Sequence, residues 1–162
     1  MDLVLRVPER SEEAEFLRAH RATSPTVPNF LHYYREGMSF VRYPSTFLFA
    51  FAGSTIVGRV SIRHSLNPYL ERVGGHIGYV VVPEYRRRGC ATVILRQSLQ
   101  IAHHTLGLTR VLVTCDEDNT GSIRAIEKNG GVFESVVIES ADETPKRRYW
   151  INLADQRGSG SV

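Results

Sequence analysis

The chain has 162 residues, of which 42% are hydrophobic and 23% are charged, and its formal net charge is +3. These values are ordinary for one globular domain with a core of its own. The sequence has no apolar run of membrane-spanning length and no signal-peptide pattern, so we expect a cytoplasmic protein without a membrane partner. Its two cysteines give no disulfide framework, which fits a reducing compartment.

The small excess of positive charge leaves two kinds of anionic partner open. A nucleic-acid-binding module that uses the arginines is one interpretation. Basic runs are more often solvated surface or a phosphate site, however. Nucleic acid is therefore the less favoured partner.

The first half of the chain predicts the order strand, helix, helix, strand, strand. Acidic residues follow Ser11, as suits the first turn of a helix. Gly53-Ser54 is typical of a two-residue hairpin turn. The predicted elements are Leu3–Val7, Ser11–His20, Asn29–Arg35, Thr46–Ala52 and Thr55–His64.

The second half predicts a strand–helix–strand unit followed by a helix and two strands. A loop at Ser65–Gly75 precedes it. The two strands of the unit should run parallel. No interdomain linker is evident, so we expect one domain over residues 1–155 and a flexible tail over 156–162. The predicted elements are His76–Val82, Gly89–Leu106, Arg110–Cys115, Thr120–Asn129, Val132–Ser140 and Arg147–Leu153.

The stretch from His76 to Thr92 combines a strand, a basic turn and the start of a helix. Pro83 ends the strand because proline has no N–H to donate. The helix opens at Gly89, whose missing side chain lets a ligand approach the backbone closely. First-turn N–H groups have no intrahelical partner, and the helix dipole favours an anion there. With the three arginines of the turn, the stretch predicts a phosphate site.

Two motifs resemble one family. Arg86-x-x-Gly89-x-Ala91 after a strand resembles the [QR]-x-x-G-x-[GA] signature of the GNAT family of N-acetyltransferases. Residues 119–130, NTGSIRAIEKNG, resemble that family's second motif. The resemblance covers roughly residues 3–153 and implies an α/β (α+β) fold. The family's fold is a mixed central sheet of about seven strands, with helices on both faces and a splayed parallel strand pair.

The resemblance implies acetyl-CoA as co-substrate and no metal. The pantetheine should pair with the backbone of Val80, Val81 and Val82, and one N–H of that run should stabilise the oxyanion. The pyrophosphate should bind in the turn and at the helix starts. The cofactor-binding residues implied there are Arg86, Arg87, Arg88, Gly89, Cys90, Ala91, Thr92, Asn119 and Ser122.

The proton donor for the leaving thiolate departs from the family pattern. Many members carry a tyrosine in the second motif, where this chain has Ile126. Ser122, Tyr149 or a water must then supply the proton, or the thiolate leaves unassisted.

His76 is the predicted general base, because it begins the same strand and an unperturbed histidine pKa of about 6.5 suits proton uptake at neutral pH. A surface histidine at a strand entry is the competing interpretation. Asp116 and Glu117 are alternative bases, although both also suit helix capping.

We therefore expect an N-acetyltransferase that moves an acetyl group to a primary amine by direct attack. The alternative is a catalytically silent regulator that binds acyl-CoA. The expected partner is a small-molecule or peptide amine, and a homodimer is compatible with the sequence. Phe30, Tyr33 and Tyr34 either line the acceptor site or belong to the core.

Overall fold

The computed structural model describes residues 1–24 and 44–154, which form one seven-stranded sheet and three α-helices. The strands are β1 (Val4–Arg6), β2 (Ser45–Ala52), β3 (Thr55–Arg63), β4 (Ile77–Val81), β5 (Arg110–Asp116), β6 (Val132–Val137) and β7 (Lys146–Asn152). The helices are α1 (Glu13–Thr23), α2 (Cys90–His104) and α3 (Thr120–Lys128). The predicted helix Asn29–Arg35, with Phe30, Tyr33 and Tyr34, and the predicted tail 156–162 lie outside the described residues.

The sheet runs in the order β1-β2-β3-β4-β5-β7-β6. Every neighbouring pair is antiparallel except β4 and β5, which are parallel. The prediction of a mixed sheet with a parallel pair is confirmed. The predicted loop Ser65–Gly75 was wrong in part, because Leu70–Gly74 forms a π-helical turn. None of the helices in the two described segments has the length and apolar character needed to cross a membrane.

Helices cover both faces of the sheet, as predicted. Helices α2 and α3 pack on one face over a continuous cluster that includes Ile94, Leu99 and Ile126. Helix α1 packs on the other face. The buried residues of that second cluster are Phe16, Ala19, Phe49, Phe51, Ile56 and Val82.

An irregularity in the β2–β3 hairpin explains why α1 docks where it does. The register shifts between Ala50 and Phe51, so Val57 has no partner on β2, and Ile56 lies next to this bulge. The Ile56 N–H donates to Glu15 Oε1 at 2.6 Å, and its carbonyl accepts from Arg18 Nη2 at 2.7 Å. A salt bridge of 2.7 Å joins the two α1 side chains. Helix α1 thus supplies the partners that a buried backbone requires.

Strand β4 pairs with β5 only at the start of β4, opposite the middle of β5. The one pair in register is Ile77 with Val113. Just before it, the His76 N–H donates to Leu112 O at 2.7 Å, and the Leu112 N–H donates to His76 Nδ1 at 2.9 Å. Arg63 Nη1 donates to the carbonyls of Gly74 and Gly75, both at 3.0 Å. We call Arg63, Gly75, His76 and Leu112 the strand clamp.

Gly75 should resist any side chain, because two separate penalties meet there. Its φ of +67° and ψ of −177° lie in a region that is essentially restricted to glycine and costs a residue with a Cβ about 1–3 kcal/mol. A Cβ would also lie 2.6 Å from Leu112 O, a backbone atom that cannot swing aside. Gly53 has nearly the same φ, +62°, with nothing within 4 Å of its Cβ position. Gly75→Ala should therefore lower Tm by clearly more than Gly53→Ala.

The difference in Tm between the two variants measures the steric clash at Gly75 together with the additional strain of its ψ of −177°, which is essentially restricted to glycine at positive φ. Overpacking of this kind adds about 1–3 kcal/mol, or roughly 2–4 °C per kcal/mol for a domain of this size. Equal losses of Tm would show that the clamp yields to a methyl group without strain.

Candidate functional site

A cleft of about 900 Å³ lies beside the unpaired edge of β4. Its walls are the first turns of α2 and α3 and the Pro83–Gly89 connection. Two helix N-termini therefore face one space. The N–H groups of these turns have no intrahelical partner and carry partial positive charge. The second of them is held by its cap, because the Ser122 N–H donates to Asn119 Oδ1 at 3.0 Å.

The charged side chains that line the cleft are all positive. Arg86, Arg87, Arg124 and Lys128 all line it, and no carboxylate does among its described lining residues. The Arg86 Nε donates to Val81 O at 3.2 Å, which holds that guanidinium against the end of β4. Walls of this kind raise the local concentration of an anionic ligand.

Gly89 leaves the mouth of the cleft open at the start of α2. Its φ is +79°, and nothing lies within 4 Å of the position that a Cβ would take. The first helical bond of α2 runs from the Val93 N–H to Gly89 O. The N–H groups of Cys90, Ala91 and Thr92 precede it and remain for a ligand. Anions bind to helix starts built in this way.

Backbone direction along β4 corrects one prediction. The Val82 N–H donates to Val57 O at 2.9 Å, toward β3. Backbone groups alternate between the two sides of a strand, so Val80 also faces β3, and Tyr79 and Val81 face the opening. Val80, Val81 and Val82 were predicted to pair with a ligand, and only Val81 presents its N–H there. Val82 is buried against α1 and does not line the cleft.

The sequence matches known proteins at the level of the family. The family model "Acetyltransferase (GNAT) domain" matches residues 3–132. The chain belongs to the GNAT acetyltransferase family. A search of curated proteins finds no significant match.

Several solved structures share the fold. A point mutant of the spermidine N-acetyltransferase SpeG from Vibrio cholerae superposes with a TM-score of 0.70 at 16% identity, over 98% of each chain. A GNAT acetyltransferase from Streptococcus pneumoniae gives 0.65 at 18%, over 93% of this chain and 99% of the other. One from Bacillus anthracis gives 0.64 at 20%, over 94% and 96%. At these identities the likeness shows the fold alone.

The residues predicted to bind the cofactor of a GNAT domain fall into two groups. All but two of those predicted between Val80 and Ser122 line the cleft. The exceptions are Val82 and Arg88, whose guanidinium lies 5.5 Å from the Tyr85 ring centre. Cys90 contributes only backbone, since its buried Sγ lies 3.8 Å from Met1 Sδ. Burial raises the pKa of its thiol.

The two predicted proton donors are placed very differently. Ser122 lines the cleft on α3. Tyr149 is fully buried, and its hydroxyl accepts from Arg147 Nη1 at 3.1 Å and points to Glu127 Oε1 at 3.4 Å. Tyr149 therefore lies away from the cleft, which is a correction to its predicted role. Ile126 is buried in the core under α3 and does not line the cleft either.

His76 is a core residue of the strand clamp, not a strand-entry residue on the surface. Its Nδ1 accepts the Leu112 N–H, so the neutral ring carries its proton on Nε2 and has no free lone pair to act as a base. Burial, and then the Arg63 and Arg110 charges, lower its pKa to about 4. The reason given for the predicted base, a pKa near neutrality, does not hold in this environment.

The alternative bases are engaged in ion pairs. Asp116 pairs with Lys146, and Glu117 lies 4.0 Å from Arg147 Nε. Neither carboxylate is a described residue of the cleft wall. Within the part of the chain that the structure describes, no cluster of His, Cys, Asp and Glu is arranged to hold a metal ion.

Seven of the described residues that line the cleft were not predicted as site residues, and the side chains of three of them, Tyr79, Arg124 and Lys128, bear on its chemistry. Arg124 and Lys128 follow Thr120 at steps of four, so one face of α3 carries them all toward the cleft. That spacing was available in the sequence. Tyr79 lies on the same face of β4 as Ile77 and Val81, and it was predicted to be part of a buried strand. Nothing local distinguished its hydroxyl from that of a core tyrosine.

The protonation of His76 should be visible in stability. Because its folded pKa of about 4 lies below the ordinary value, the unfolded chain binds the proton first as pH falls. Its contribution is complete above about pH 6.5 and is lost as pH falls toward 4. We expect His76→Asn, whose Oδ1 can still accept the Leu112 N–H, to flatten this loss of Tm. Carboxylates titrate equally in both proteins and cancel, so parallel Tm–pH curves would contradict the buried neutral histidine.

Proposed function

We propose that this GNAT domain is an N-acetyltransferase that binds acetyl-CoA in the cleft and transfers its acetyl group to a primary amine by direct attack. The observation that carries the proposal is the convergence of two helix N-termini and four cationic side chains on the open edge of β4. That arrangement suits a diphosphate followed by an extended chain with amide groups.

The residues present fit the cofactor along its length. The first turn of α2, together with Arg86 and Arg87, would hold the diphosphate. Arg124 and Lys128 would neutralise further phosphate charge. The Tyr79 and Val81 backbone groups would pair with the pantetheine amides, as a strand pairs with its neighbour. When bound, acetyl-CoA supplies an acyl group activated as a thioester.

The protein's own groups then act on charge and protons. A β4 backbone N–H that faces the opening, from Tyr79 or Val81, is placed to stabilise an oxyanion. Ser122 is the donor that we assign to the leaving sulfur, because it lines the cleft and Tyr149 does not. With His76 neutral in the clamp and the two acidic candidates paired, we assign removal of the amine proton to solvent.

The acceptor would approach from the opposite face of the β4–β5 opening. Arg63 lies on that face, with its Nη1 positioned 3.6 Å from where a Cβ on Gly78 would be. It forms no ion pair with any carboxylate of the described residues. A polycation such as the spermidine named for SpeG would be repelled there. We propose a peptide amine or a small amine that carries a carboxylate.

The competing proposal is a silent regulator that binds acyl-CoA and transfers nothing. It is motivated by Ile126, which takes the place of the family's tyrosine. Such a protein would bind acetyl-CoA as tightly as an enzyme. Only release of CoA in the presence of an amine separates the two.

Cofactor binding should depend on Gly89 in a way that a matched glycine does not share. Gly107 lies in the connection between α2 and β5, with φ +69° and, like Gly89, nothing within 4 Å of its Cβ position. Each alanine variant should lose about 1–2 kcal/mol of stability from its φ alone. Only Gly89→Ala should weaken acetyl-CoA binding, by about tenfold or more, because its Cβ obstructs the diphosphate. Calorimetric titration of both variants tests this, and equal affinities would remove the turn from the cofactor site.

Turnover should follow the ionisation of the amine. CoA release is measured with a thiol reagent across peptide amines, amino acids and polyamines. Without a protein base, log(kcat/KM) should rise with pH toward the pKa of the acceptor itself, about 8 for an α-amine or 10.4 for a lysine. A limb near pH 6.5 that disappears in His76→Asn would restore His76 as the base. Binding of acetyl-CoA with no release of CoA in the presence of any of these amines would support the regulator.

A further inference from the structure

Tyr79 has a hydroxyl with no evident structural task. Its residue lines the cleft, yet its Oη is buried and forms no hydrogen bond of ordinary geometry. A buried hydroxyl without a partner costs about 1–3 kcal/mol, and such groups are uncommon in native proteins. A phenylalanine would fill the same space at no such cost.

Two groups lie beside this hydroxyl. Burial raises the pKa of Tyr79, the Ser122 hydroxyl opposes that rise, and the Cys115 thiol adds to it. The phenol therefore reaches from β4 across the opening toward β5 and the first turn of α3. Ser122, on the first turn of α3, is half-buried and lines the same cleft as Tyr79.

A serine alone is a poor proton donor, because the alkoxide that it would leave behind is a very strong base. A phenol behind it changes that. If Tyr79 gives its proton to Ser122 as Ser122 gives its own to the sulfur, the negative charge ends on a phenolate, whose ordinary pKa is about 10.

We propose that Tyr79 is a positioning residue that backs Ser122, so that the two hydroxyls form a relay from the phenol to the sulfur of the leaving thiol. This inference rests on the proposed acetyl transfer. Tyr79 on β4 would thus replace the tyrosine that many family members carry on α3, where this chain has Ile126.

The relay balances as follows. The C–S bond breaks and its electron pair remains on sulfur. The Ser122 O–H proton passes to that sulfur, and the Tyr79 O–H proton passes to Ser122 Oγ. The phenolate regains a proton from water, which receives the one lost by the attacking amine. Neither oxidant nor further reactant is needed.

The first test compares Tyr79→Phe with Tyr69→Phe, an equivalent deletion at a tyrosine that is 59% exposed. Tyr79→Phe should lower kcat by about 10–100-fold, toward the scale of a lost acid–base group. KM for acetyl-CoA should stay within about twofold, since the backbone of Tyr79 is unchanged. Tm should stay level or rise, because the deleted hydroxyl was unpartnered. Tyr69→Phe should change none of these.

A binding measurement supplies a readout that does not depend on turnover. CoA and desulfo-CoA, which lacks the sulfur, are titrated at pH 9, where much of the CoA is thiolate. The wild type should favour CoA by about three- to tenfold, the scale of one hydrogen bond. The preference should approach one in Tyr79→Phe and in Ser122→Ala.

A double-mutant cycle tests the relay itself. If the hydroxyls act in series, Tyr79→Phe should cost little further activity once Ser122 is alanine. Losses that simply add would overturn the relay. So would a Tyr79→Phe protein with wild-type kcat, one that loses CoA and desulfo-CoA equally, or one whose Tm falls well below that of Tyr69→Phe. A wild type that neither binds CoA nor releases it from acetyl-CoA would overturn the proposed function before any variant is made.

Discussion

Two parallel strands that stop pairing inside a sheet leave N–H and C=O groups that must find other partners. In this protein that happens after Ile77 and Val113. The strand clamp holds β4 against β5 at one end, because His76 and Leu112 each donate a hydrogen bond to the other. Beyond it the strands separate, and the edge of β4 becomes available. The helix starts, the cations and the buried phenol are all arranged around that opening.

The charges around the opening favour an anionic ligand. Four cationic side chains without a carboxylate among the described wall residues repel one another when the cleft holds only water. An anion would remove that repulsion and satisfy the first turns of two helices together. The same cations therefore disfavour the empty cleft and favour the filled one, so binding and folding stability should be strongly linked.

The parts that were predictable from sequence are those set by neighbours along the chain. The β4 strand, the arginine turn and the α2 start follow from β-branched residues, Pro83 and Gly89, so the basic end of the cleft could be predicted. His76 was misjudged because its burial depends on Leu112, a residue on another strand. Tyr149 was misjudged because β7 inserts between β5 and β6 and buries it. The proposed role of Tyr79 could not be predicted, because it depends on how α3 and β4 lie relative to each other in the fold.

The alternation along β4 has a consequence for how such proteins diverge. Tyr79 and Val81 offer their backbone to the opening, and a backbone is the same whatever side chain it carries. The side chain of Val80 points to the opposite face, and so would any side chain placed at Gly78, where it would lie beside Arg63. A ligand in the opening can thus be recognised by backbone groups that mutation does not alter. A ligand on the opposite face would be recognised by side chains, which mutation alters freely. If acceptor and donor bind as proposed, new acceptors can be acquired on one side of this strand while the backbone groups proposed for the donor stay intact.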